Sequence, residues 1–131
     1  MNRAILLSIA LCALAIPSLA SAHQFLDYFP YGRSELSPLG YRTARDVMRY
    51  AGDGQHEIII TAYLDTAENR EFSEELAMRR AQSMASELVN LGADPALIKM
   101  RSGGIALAKP TPDYTPEPLN RRLVVDTNWL R

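Results

Sequence analysis

EIIITAYLD, residues 57–65, decides the architecture. Ile58, Ile59 and Ile60 are consecutive and β-branched, which predicts a central strand covered on both faces. Asp65 stands where that strand ends. Downstream, residues 66–72 read as a polar loop. A helix is predicted from about Ser73 to Leu91, with Glu74 and Glu75 in its first turn and Gly92 after it. Upstream, Ser37-Pro38 starts a helix, because Ser suits the N-cap and Pro the first helical position. Leu36 and Tyr41 stand where a hydrophobic staple would hold them. Leu39, Ala44, Val47, Met48 and Ala51 give this helix an apolar stripe, and Gly52 ends it where a left-handed residue is favoured.

The flanks complete the alternation. His23 to Gly32 is aromatic-rich and reads as a first strand running into a turn. Asp94-Pro95 starts a short turn, Ile98 to Arg101 is a short strand, and Gly103-Gly104 turns the chain. Residues 105–119 carry four prolines and read as a loop. Arg121 to Asp126 is the last strand. The order strand, helix, strand, helix, strand, loop, strand predicts an α/β (α+β) two-layer sandwich with helices on one face.

On a wheel of about 100° per residue, Leu76, Ala77, Ala81, Met84, Ala85, Leu88 and Leu91 share one stripe of the second helix. Arg80 falls inside that stripe and Arg79 outside it. Arg79 reads as a solvated residue. Arg80 points at the sheet layer, where an unpaired charge is costly, so it needs an anionic partner or a route to solvent. Asp65 is the nearest candidate in sequence. The pair is open to two readings: a structural ion pair, or a ligand site beyond the carboxyl end of a strand.

The N-terminus reads differently. Met1-Asn2-Arg3 precedes an apolar run to about Pro17, and Ala20-Ser21-Ala22 supplies a small-x-small end. That pattern predicts a secretory signal peptide over residues 1–22, with cleavage after Ala20 as the near competitor. A retained anchor is the alternative, but a spanning helix wants about 20 apolar residues. Cys12 lies inside the apolar run behind Leu11, which argues against a lipoprotein cleavage site. The predicted mature domain, 23–131, has no cysteine, and the loss of Arg3 moves the net charge from −1 to −2. Such a charge gives no electrostatic case for nucleic acid. The lone His23 and His56 have no partner at ligand spacing, so no metal site is expected. No motif calls for a cofactor. No nucleophile, paired-carboxylate signature or P-loop indicates an enzyme. Trp129, the only Trp, is expected to pack on the domain or contact a partner.

Asp65, then Leu76-Ala77-Met78-Arg79-Arg80-Ala81, Gly92 and finally Asn120-Arg121-Arg122-Leu123 together resemble the OmpA-like domain, the C-terminal periplasmic domain of outer membrane protein A. That family shows Thr-Asp after its central strand, Leu-Ser-x-x-Arg-Ala on the long helix, and Asn-Arg-Arg-Val entering the last strand. The resemblance spans roughly residues 24–126. It implies a βαβαββ sandwich in the Gram-negative periplasm, associated with the outer membrane or cell wall, with no transmembrane segment in the mature chain. It also implies non-covalent binding of peptidoglycan. Asp65 would accept from the ammonium of a diaminopimelate end, and Arg80 would hold its carboxylate through two parallel bonds.

Several positions depart from the family pattern. Ala62-Tyr63-Leu64 stands where the family often has Gly-His-Thr, and Leu64 offers no hydroxyl. Phe72-Ser73 replaces Tyr-Asn, and Ala77 replaces the Ser of Leu-Ser. Tyr63 and Ser73 can still hydrogen-bond with different reach. Asn120 and one of Arg121 and Arg122 are candidates for the ligand rim, the two arginines facing opposite sides of a strand. The altered shell supports a second expectation: an interaction subunit of an envelope machine, such as a secretion or flagellar assembly, with weakened or lost peptidoglycan binding.

Overall fold

A computed structural model describes residues 23–131; the expected leader, residues 1–22, lies outside the described residues. In chain order the elements are β1 (His23–Tyr28), α1 (Pro38–Ala51), β2 (His56–Tyr63), α2 (Thr66–Glu71), α3 (Glu74–Asn90), β3 (Ile98–Gly104) and β4 (Arg122–Trp129). Short 3₁₀ turns cover Pro95–Leu97 and Pro118–Asn120. The sheet order is β1-β4-β2-β3. β4 runs antiparallel to both neighbours and β2 parallel to β3. The expected two-layer α+β architecture is therefore present, with one helix more than expected.

That helix is α2, which occupies the stretch read as a polar loop. Asp65 caps it, accepting from the Glu68 amide at 2.7 Å, while Glu68 Oε1 accepts from the Asp65 amide at 3.3 Å. This is a capping box, and its spacing of three residues was available in Asp65-Thr66-Ala67-Glu68.

β2 is central, as expected, but only one of its faces is covered. Its residues alternate between buried and half-buried, with Ile58 and Ile60 facing the helices and Ile59 facing away. Helices pack on one face only, so the β-branched run reflects position between two strands rather than two helical layers. Leu76, Met84 and Leu88 of α3 and Val47 of α1 meet Ile58, Ile60, Leu123 and Val125 in the core. Leu39 and Leu91 are exposed, outside the stripes assigned to them. Ser37 caps α1 through the Gly40 amide at 3.2 Å. Gly52 ends α1 without a left-handed turn, at φ −79. Glycine is needed there for room, because a Cβ would lie 2.4 Å from the Met48 carbonyl oxygen.

Candidate functional site

The C-terminal end of β2 delivers the chain directly into Asp65, the cap of α2, and α3 returns Arg80 beneath the same point. Both side chains are 0% exposed. They do not bond to each other, so the structural reading of an Asp65–Arg80 pair gives way to two separate pairs. Arg80 pairs with Glu68, and Asp65 Oδ2 accepts from Arg121 Nη1 at 2.9 Å.

Arg80 is wholly engaged. Nη1 donates to Glu68 Oε1 at 2.9 Å, and Nη2 donates to Glu68 Oε2. Nε donates to the Arg33 carbonyl at 2.7 Å. The Tyr63 and Pro30 carbonyls each lie 3.3 Å from a guanidinium nitrogen. The Phe29 ring lies beneath, its centroid 4.9 Å from Cζ. This explains how a charge sits inside an apolar stripe: every donor has an acceptor, and an anion lies in the plane of the fork.

Glu68 receives two further donors, the Gly32 amide at 2.8 Å and the Asp65 amide at 3.3 Å. Gly32 has φ 68, a left-handed conformation that turns its N–H toward the carboxylate at little steric cost. Asp65 is equally saturated. Besides Glu68 and Arg121, it accepts from the Glu117 amide at 3.0 Å. Arg121 also donates from Nε to the Phe29 carbonyl at 3.0 Å. Two acids and two arginines thus interlock four segments of chain.

The other expected residues scatter around this network. Asn120 is fully buried and clamps Lys109, donating to its carbonyl and accepting from its amide, each at 2.8 Å. It therefore staples the proline-bearing loop. Tyr63 lies on the open face of the sheet, with Arg122 Cζ 3.9 Å from its ring centroid. Ser73 adopts φ 64, ψ −173 and makes no side-chain cap bond. Arg121 reaches the network and Arg122 the opposite face, as strand alternation requires. Glu68 is the member that sequence reading missed; the capping-box spacing and the need of Arg80 for an anion were its signals.

Near the network, Tyr31 donates to Glu71 at 2.6 Å. That bond pushes the phenol up to about 12, with burial and the charges of Glu71, Asp65 and Glu68 adding to it. A cleft of about 420 Å³ lies elsewhere, between Tyr41 and the Arg79–Glu87 side of α3. A cleft of about 280 Å³ flanks α2 at Thr66, Arg70 and Tyr114. Neither is lined by Asp65 or Arg80. Among the described residues no group of His, Cys, Asp and Glu is placed to hold a metal ion, and no helix is long and apolar enough to cross a membrane. His56 is buried, with Nδ1 2.9 Å from Asp53, and its ring centroid lies 4.0 Å from that of Trp129.

The sequence profile of the OmpA family matches residues 28–121. No curated protein matches the chain. Among solved structures, the OmpA-like domain of FopA1 from Francisella tularensis is similar at 17% identity, with a TM-score of 0.65 over 84% of this chain and 75% of that one. The peptidoglycan-associated lipoprotein from Burkholderia pseudomallei is similar at 20% identity, with a TM-score of 0.64 over 86% of this chain and 93% of that one. The periplasmic domain of MotB from Helicobacter pylori is similar at 15% identity, with a TM-score of 0.63 over 84% and 78%. At these identities the structural likeness speaks for the fold.

Proposed function

This chain belongs to the OmpA family, and from that premise we propose that it is a non-catalytic module of the bacterial periplasm that holds peptidoglycan at the site of Asp65 and Arg80. The leader, residues 1–22, would export it, leaving a domain that starts at His23. N-terminal sequencing of the exported protein tests that boundary. The carrying observation is the convergence of Asp65 and Arg80 at the end of β2, around one position already shaped for a carboxylate. A diaminopimelate end brings an ammonium and a carboxylate on one carbon. Arg80 offers a planar fork for the carboxylate, and Asp65 lies beside it for the ammonium. One of the structurally similar proteins is a peptidoglycan-associated lipoprotein, which supports the same ligand class.

Binding in this way requires Glu68 to leave Arg80, so affinity is expected to be low. The experiment is co-sedimentation of the exported protein with purified diaminopimelate-type sacculi. Partial sedimentation that Asp65→Ala abolishes supports the reading, provided the variant keeps its native circular dichroism.

One specific observation favours a second reading: both anchors are 0% exposed and satisfied from within. On that reading the chain keeps the fold and serves as an interaction subunit of an envelope machine. No sedimentation with sacculi, together with a crosslinked envelope partner, would favour it over the first.

A further inference from the structure

The donors around the Glu68 carboxylate come from three separate places. α3 supplies the Arg80 fork, the β1–α1 loop supplies the Gly32 amide, and the end of β2 supplies the Asp65 amide. None belongs to Glu68 itself. All four bonds converge on one fully buried carboxylate. Such a set is a carboxylate receptor built by the fold, and Glu68 reaches it as a side chain of the short helix α2.

We propose that Glu68 is an internal ligand: its carboxylate occupies the receptor that an external carboxylate would otherwise take, and so sets the ligand affinity of the site. The link to cell wall rests on the function proposed above; the occupancy itself does not. A carboxylate from outside must compete with one tethered at high effective concentration by a capped helix. Removal of the Glu68 side chain leaves a charged fork and two backbone N–H groups facing a space of carboxylate size. The left-handed Gly32 keeps one of those N–H groups aimed there without help from Glu68.

Formate is the probe, because it carries the carboxylate and almost nothing else. The experiment compares thermal unfolding of the exported protein in sodium formate and in sodium chloride at equal ionic strength and neutral pH. Three proteins are used: wild type, Glu68→Ala and Glu68→Gln. Glu68→Ala is expected to gain several degrees in formate over chloride, by linkage of binding to folding. Wild type is expected to show no formate-specific change, and Glu68→Gln very little, because the amide still fills the space. If Glu68→Ala does not fold in chloride, formate must restore its native spectrum. Equal responses of all three proteins, or a Glu68→Ala protein indifferent to formate, overturn the proposal.

A sacculus arm separates this claim from the peptidoglycan reading. Sedimentation that rises in Glu68→Ala supports both. A formate response without sacculus binding by any variant keeps the internal ligand and removes the peptidoglycan reading. Sacculus binding without a formate response does the reverse.

Discussion

Arg80 and Glu68, twelve residues apart and both 0% exposed, form a bonded fork in the interior of the domain. The fork joins α3 to the short helix α2. It also anchors the β1–α1 loop, through the Arg33 carbonyl on one side and the Gly32 amide on the other. A buried pair of this kind contributes little net stability relative to apolar replacements, yet breaking it is costly because one charge is left behind. Glu68→Ala is therefore expected to lose about 3–5 kcal/mol in chloride. The joint variant Arg80→Met with Glu68→Leu should lose less than the sum of the two single changes, by about 0.5–3 kcal/mol. Urea unfolding of the four proteins checks this, and strict additivity would show that the two side chains act separately.

Asp27 provides a pH test. It is 4% exposed, and its Oδ2 is buried without a hydrogen-bond partner among the described residues. Gly40 of α1 comes so close that a Cβ there would lie 2.6 Å from that oxygen. Burial pushes the carboxyl above its ordinary value of 3.8, against the Tyr28 amide, which lowers it. The folded state thus holds the proton to higher pH than the unfolded chain. Stability from this group is complete below the ordinary value and is lost as pH rises through the raised folded value. Asp27→Asn should raise the melting midpoint at neutral pH, and the gain should fade on acidification. A gain unchanged from about pH 7 to about pH 3 would contradict this.

Ser73 holds φ 64, ψ −173, a region that is open almost only to glycine. Ser73 lies in the two-residue link between α2 and α3. The Ser73 side chain makes no cap bond in return. Ser73→Gly is expected to stabilise the fold by about 1 kcal/mol, the strain relieved less the added entropy of the unfolded chain. Chemical denaturation reads the change directly, and a loss of stability would mean that the hydroxyl has a structural role.

Gly103 tests the open face of the sheet. A Cβ there would lie 2.2 Å from the Tyr63 ring, which Arg122 covers at 3.9 Å from its centroid. The ring cannot yield without leaving Arg122. Gly103→Ala should cost about 1–3 kcal/mol, as overpacking does, and should alter the near-ultraviolet tyrosine signal. An unchanged signal with unchanged stability would show that the ring moves freely.

Much of this was legible in sequence for identifiable reasons. Ser37-Pro38, the Ile58–Ile60 run and the α3 stripe each obey a local rule, and each element formed where the rule placed it. Arg80 was legible as a buried charge because it breaks the stripe. Proximity in sequence points to Asp65 as its partner rather than Glu68, because Glu68 sits in residues 66–72, whose polarity suggests a loop, while the helix there depends on one capping box. The burial of Asn120 is not legible in sequence, because it depends on a loop folding back to Lys109, a contact of 11 residues' separation with no local signature. Periodicity alone puts Leu39 and Leu91 in the apolar stripes, but Leu39 stands in the first turn of α1 and Leu91 just past the end of α3, and both are exposed.

The most direct test of peptidoglycan binding under the control of Glu68 is the fraction of protein sedimenting with diaminopimelate-type sacculi, measured for wild type, Glu68→Ala and Glu68→Ala with Asp65→Asn. The expected result is weak binding by wild type, stronger binding by Glu68→Ala, and return to background when Asp65 also loses its charge. Equal sedimentation of all three, or binding that falls when Glu68 is removed from a folded protein, would contradict it.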